Sequence, residues 1–200
     1  MVASDRRYQV ALERSRAAWA GSKPARAARL AGCVPVPGGV RVPYFGAPHL
    51  LLHPGGEVIF EPTGQAAHPS VTVLLLHYLL TADGSEPAGR WLAFRELPSG
   101  LFYSQAFAAH AEAPLAARFG SDLAAFRQAA GRLAGAPLDL ADASSWFLAL
   151  PRVPIAALLW EGDDEFPARA QILFDAQAGH YLPTEDLSGV GDWLAHRLMR

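Results

Sequence analysis

The sequence predicts an α+β protein: a mostly antiparallel sheet with a buried central helix, a helical N-terminus and a C-terminal helix. Three observations predict it. The first thirty residues carry apolar positions at helical spacing, residues 35–61 and 146–175 hold short apolar runs, in the first stretch set between Pro/Gly turns, and the stretch 69–81 is apolar on every side. A chain of 200 residues suits one domain, 1–200, with a helical arm over 1–32 and an α+β body over 33–200.

In the arm, Ser4 is placed to cap a helix running to about Ala20, with Tyr8, Leu12 and Trp19 on one stripe and Gly21 as its stop. A shorter helix over 24–31 opens on Pro24, at a permitted first-turn position, and stops at Gly32. Pro35, Gly38, Gly39, Pro43, Gly46, Pro48, Pro54 and Gly55 then punctuate three strands expected at 40–45, 49–53 and 57–61. Their prolines favour edges and bulges over a long central ladder. The run over 69–81 follows a proline and is too long for an ordinary strand, so it reads as a helix covered all round.

A strand is expected at 91–97, followed by a helix over 101–119 interrupted near Ala113-Pro114. The next helix is expected from a Ser121 cap to Gly135, with Leu123, Phe126, Ala130 and Leu133 facing inward. Strands follow at 146–150, 155–161 and 170–175, apolar without clean alternation and so covered on both faces. Thr184 is placed to cap the last helix, to about Arg197, with Leu187, Val190, Leu194 and Leu198 inward.

Composition excludes several classes. With 51% hydrophobic and 18% charged residues the chain is globular rather than disordered. Its longest strongly apolar window, 71–80, is roughly half the ~20 residues a bilayer-spanning helix needs. The basic first thirty residues resemble a transit peptide, but their regular apolar stripe suits a folded core. Cys33 is the sole cysteine, so the chain alone builds no internal disulfide and no cysteine-rich cluster, and a cytoplasmic protein is expected. A net charge of −2 gives no nucleic-acid signal. The N-terminal helices are nonetheless basic and the last forty residues acidic, which suits either mutual packing or a basic docking face.

The unusual chemistry gathers between Val153 and Asp186. Glu161, Asp163, Asp164 and Glu165 place four carboxylates in five residues, enough for a hard cation or an acid/base pair, although a hairpin turn is also where solvated acids belong. The calcium-loop pattern is not met. Asp175 directly follows an apolar strand, where a carboxylate is held rigidly to cap a turn, pair with an arginine or act chemically. His180-Tyr181 precedes a second acidic pair, Glu185 and Asp186. His77 lies inside the apolar helix, where it is either a satisfied core histidine or a cofactor ligand. His49 and His53 stand four apart and need a third ligand to hold a metal. No Gly-x-Ser-x-Gly elbow, phosphate-binding loop or dinucleotide fingerprint occurs.

Leu76-His77-Tyr78-Leu79-Leu80, Phe94-Arg95-Glu96-Leu97, the segment from Leu159 to Pro167, Ile172 to Asp175 and Tyr181 to Asp186 together resemble an uncharacterised prokaryotic family, a domain of unknown function. The resemblance covers about residues 35–190. Some members look joined to an iron-sulfur domain of the corrinoid iron-sulfur protein type, which implies a setting in anaerobic one-carbon or corrinoid metabolism. This chain, with Cys33 alone, departs from those members.

The leading expectation is a non-catalytic accessory protein that binds a small molecule or cofactor of the tetrapyrrole or corrinoid class, or a protein partner carrying one. The surface expected to do so runs over Trp160, Glu161, Asp163, Asp164, Glu165 and Phe166, over Asp175, and over His180, Tyr181, Glu185 and Asp186, reaching His77. Trp160, Phe166 and Tyr181 would form its apolar wall. The alternatives are a metal-dependent hydrolase or lyase on Asp163, Asp164, Asp175, Glu185 and His180, and a structural or protein-interaction module. Neither a nucleic-acid nor a membrane partner is expected.

Overall fold

The computed structural model describes residues 2–200, with side chains from residue 9 onward. The chain forms two compact units. The first holds the chain up to Glu86 together with Leu150–Arg152 and His180–Leu182; the second holds Pro87–Ala149, Val153–Gly179 and Pro183–Arg200.

In the first unit, helix α1 (Val2–Ala20) begins ahead of the expected Ser4 cap. The side chains of Ser4 and Tyr8 lie outside the described residues. Trp19 is fully buried, and its indole nitrogen donates to the Leu52 carbonyl at 2.9 Å, which ties the end of the helix to the sheet. Helix α2 (Pro24–Leu30) starts on proline as expected. Five strands then form a sequential antiparallel meander: β1 (Val34–Val36), β2 (Gly39–Tyr44), β3 (Ala47–Leu52), β4 (Val58–Phe60) and β5 (Gln65–Ala66). Short edge strands extend the three expected. A Cβ at Gly39 would sit 2.2 Å from the Leu51 carbonyl oxygen, so glycine lets β2 and β3 close up there.

Helix α3 (Pro69–Thr81) has the expected bounds. Thr72 to Leu76, Tyr78 and Leu79 are buried, so the helix is central as expected, but His77 and Leu80 are half-buried, so one side of it is only partly covered. Tyr78 anchors it: the phenol donates to the Ala31 carbonyl at 2.6 Å and accepts from the Arg152 amide at 3.0 Å.

The second unit is built on an antiparallel sheet in the order β6-β10-β9-β8-β7, from β6 (Trp91–Ala93), β7 (Ala136–Pro137), β8 (Ala143–Leu150), β9 (Val153–Trp160) and β10 (Arg169–Asp175). Every residue of β9 from Val153 to Leu159 is buried, which explains its unbroken apolar run. The strand expected at 91–97 stops at Ala93, because Phe94–Glu96 turns into a 3₁₀ helix whose Glu96 carboxylate accepts the Ala93 amide at 2.7 Å.

Helices α4 (Gly100–Phe107) and α5 (Ala113–Phe119) are joined by a π turn, Ala108–Glu112, instead of a break. Pro114 has no N–H to offer the preceding turn, and the wider turn accommodates that loss. Helix α6 (Leu123–Arg132) is capped by Asp122 rather than Ser121, since the Asp122 carboxylate accepts the Ala125 amide at 2.9 Å. Helix α7 (Thr184–Leu198) buries Leu187, Val190, Leu194 and Leu198 as expected, but the Thr184 hydroxyl donates to the Pro98 carbonyl at 2.6 Å and does not cap it. No helix among the described residues is long and apolar enough to cross a membrane.

Candidate functional site

In the first unit, α3 ends at Thr81, whose hydroxyl lies 2.5 Å from the Tyr181 carbonyl and so holds the 180–182 segment against the helix end. Asp83 follows at once. One of its carboxylate oxygens accepts the Ser85 amide at 2.8 Å, and the other lies 2.7 Å from His180 Nδ1. Both side chains are about half exposed, at 50% for His180 and 45% for Asp83, so the pair faces solvent. The hydrogen bond from His180, seconded by the Ser85 amide, holds the Asp83 carboxyl down at about 2. An ionised Asp83 only accepts, so Nδ1 is the nitrogen that donates, and Nε2 points away from the carboxylate.

Ser85 Oγ lies 3.4 Å from the same Nδ1. A nucleophilic serine needs the other ring nitrogen, so these three residues do not form a hydrolase triad. Tyr181 is fully buried, tilted on Tyr78 with ring centroids 5.5 Å apart, and its phenol donates to the Ser85 carbonyl at 2.6 Å. It braces the loop that carries Asp83 and presents no wall to solvent. His77, four residues before Thr81, shares that helix face and is half-buried.

The remaining expected residues belong to the second unit. Glu161, Asp163, Asp164, Glu165 and Phe166 are all exposed in the loop joining β9 and β10. Asp163 closes that loop on itself, accepting the amides of Glu165 at 2.8 Å and Phe166 at 2.6 Å, and those bonds lower its pKa, Phe166 contributing most. Trp160 carries the Arg169 guanidinium over its ring at 4.0 Å. Asp175 is 1% exposed, and its carboxylate accepts three backbone amides, from Ala88, Gly89 and Gln177. Glu185 and Asp186 occupy the first turn of α7, where negative charge suits the helix dipole.

Residues 23–197 match the family described as a domain of unknown function, DUF3786. The chain belongs to this family. The match begins inside the stretch read as an N-terminal arm, so α2 is part of what the DUF3786 family shares. No curated protein and no solved structure matches the chain.

For this DUF3786 chain the second functional expectation, a metal-dependent hydrolase or lyase, required carboxylates and His180 to converge. Among the described residues no group of three or more His, Cys, Asp or Glu is placed to hold a metal ion. His49 and His53 do not form such a pair either: His49 is buried in β3 with Nδ1 2.9 Å from the Ala47 carbonyl, while His53 lies past the strand, edge-on to Trp19. Burial pushes the Cys33 thiol up to about 12, which makes it inert as a thiolate. Sequence reasoning named His180 but missed Asp83, its partner 97 positions away. The available signal was local: Asp83 ends a helix in Asp-Gly-Ser, a turn that exposes a carboxylate.

Proposed function

We propose that this protein is a non-catalytic accessory protein that binds a metal-bearing macrocycle, of the tetrapyrrole or corrinoid class, with His180 as the axial ligand. The observation that carries this reading is the 2.7 Å contact of His180 Nδ1 with Asp83. Ligating histidines are commonly held in this way, the carboxylate fixing the tautomer and raising the basicity of the free nitrogen. The donor set also discriminates between ligands. A bare metal ion requires three or four protein donors. A metal already held by a macrocycle requires one, and one half-exposed imidazole with its carboxylate is what unit one offers.

The test is a titration of the full-length protein with hemin and, separately, with hydroxocobalamin, followed by visible spectra. The expected result is saturable binding of one of them, with a ligand-field shift that His180→Ala abolishes. Asp83→Asn, which removes the orienting carboxylate, is expected to weaken binding about 10–100-fold. Binding of neither macrocycle, or binding that His180→Ala leaves intact, would refute the proposal.

A further inference from the structure

Strand β6 leaves its sheet early. It pairs with β10 only at Leu173, Phe174 and Asp175, whereas β9 covers β10 from Arg169 to Phe174 on the other side. Continued in register, residues 94–97 would lie opposite 172–169. They turn away instead: Phe94 swings inward to stack on Phe107 at 4.2 Å, and Gly100 closes on the Phe94 carbonyl, where a Cβ would approach to 1.9 Å. A lane alongside residues 169–172 is left without a strand.

The polarity of that lane follows from strand geometry. The Ile172 amide points into it, because its partner at 2.9 Å is Glu112 Oε1 from the π turn and not a residue of β9. Alternation along an antiparallel strand then turns the amide and carbonyl of Ala170 to the same side. The lane borders an open groove of 690 Å³, whose far wall is one face of the π turn and α5: Ala108, Ala109, Glu112, Ala113, Ala116 and Ala117. A second groove of 280 Å³ continues past Glu112 towards Arg95 and Gln105. Two charged residues line the larger groove, Glu112 and Arg169, and the Arg169 guanidinium is stacked on Trp160. Glu112 is the acid of the groove; burial raises its pKa, and the Ile172 amide and the Arg169 charge oppose that rise without cancelling it.

We infer that this groove takes a single extended peptide, added as a strand beside residues 169–172 with a lysine or arginine side chain directed at Glu112. The amide and carbonyl of Ala170 supply the ladder, as in other cases of strand addition to a sheet edge, while the buried Ile172 amide stays on Glu112. Alanine walls leave room for a backbone where larger side chains would fill the space. A cation next to Glu112 offsets the burial of its charge. A second copy of this chain does not fit the same lane, because its own β10 edge arrives with its own α5 alongside and cannot approach to the ladder spacing of about 4.8 Å. The inference is independent of His180 and extends beyond the cofactor reading.

The probe is acetyl-Ala-Val-Lys-Val-Ala-amide at up to millimolar concentration on the full-length protein, with two counterparts: one N-methylated at every amide, one with Glu in place of Lys. Binding is followed by amide NMR shifts and by competition against a labelled copy. The expected result is a shift of the Ala170 and Ile172 amides by the lysine peptide. Both counterparts, and Glu112→Gln, are expected to bind about tenfold more weakly or worse, since each removes main-chain or charge-assisted hydrogen bonds. Ala113→Leu, at an exposed helix position lining the groove, is expected to abolish binding with thermal unfolding unchanged. Unshifted Ala170 and Ile172 amides, equal binding of the N-methylated peptide, or binding that survives Ala113→Leu would overturn the inference. So would self-association of the protein through these same amides.

Discussion

Replacing Asp175 tests whether the sharpest carboxylate of the sequence is structural. Three backbone amides converge on it, Ala88 and Gln177 at 2.9 Å on Oδ1 and Gly89 at 2.8 Å on Oδ2, and the residue is 1% exposed. Hydrogen bonds to a charged group are worth about 1.5–3 kcal/mol each. Ala88 and Gly89 lie at the surface, so water replaces part of what Asp175→Ala removes, and the cost of burying the charge is also recovered. The net loss expected is about 3 kcal/mol, which for a chain of this size lowers Tm by about 6–12 °C. Asp175→Asn keeps one oxygen for Ala88 and Gln177 but turns an amide NH₂ towards the Gly89 N–H; about 2 kcal/mol is expected. Urea unfolding measures the two losses, and hydrogen exchange at Ala88, Gly89 and Gln177 localises them. An alanine variant within about 0.5 kcal/mol of the parent, with those amides still protected, would refute the clamp and free Asp175 for a functional role.

Burial raises the folded-state pKa of Glu112 above its ordinary 4.5, so the folded protein binds that proton more tightly than the unfolded chain. The contribution is fully present below pH 4.5 and is lost as pH rises through the folded value; Glu112→Gln is expected to flatten the stability profile in that window, measured by urea midpoints across pH. Tyr78→Phe removes a fully buried phenol and leaves the buried Ala31 carbonyl and the partly buried Arg152 amide without it, a loss of about 2–4 kcal/mol by the same assay. Gly120→Ala would place a Cβ 2.1 Å from that of Ala168 and 2.5 Å from the Ala116 carbonyl, so about 1–3 kcal/mol of overpacking should appear in thermal unfolding.

Elements whose reasons were local were legible. Helix α3 keeps its expected bounds because Pro69 starts it and a turn ends it, and β9 reads as covered on both faces because its residues are apolar throughout. Where tertiary partners decide, the reading failed. Residues 94–97 carry strand propensity, yet the stacking of Phe94 on Phe107 and the Glu96 bond to the Ala93 amide pull them out of the sheet. The Ser121 cap lost to Asp122 by one residue because a carboxylate is a strong acceptor for the Ala125 amide. Two sheets stand where one was expected, since apolar runs alone do not say which strands share a ladder.

Legibility of the candidate site followed the same division, with a twist of sign. Acid density drew the reading to residues 161–165, but charges adjacent in sequence repel one another and face solvent, and the one that bonds, Asp163, closes its own turn. Density along a chain therefore measures solvation more than function. Poised chemistry needs groups whose partners come from elsewhere. The Asp83–His180 contact spans 97 positions, and Glu112 reaches the Ile172 amide across 60. Each carboxylate is bonded to a donor far away in the chain and presented at a surface or groove, in a setting that moves its pKa, down for Asp83 and up for Glu112. Neither residue stands in a motif. What singles them out is the pairing itself, and pairing is a property of the fold.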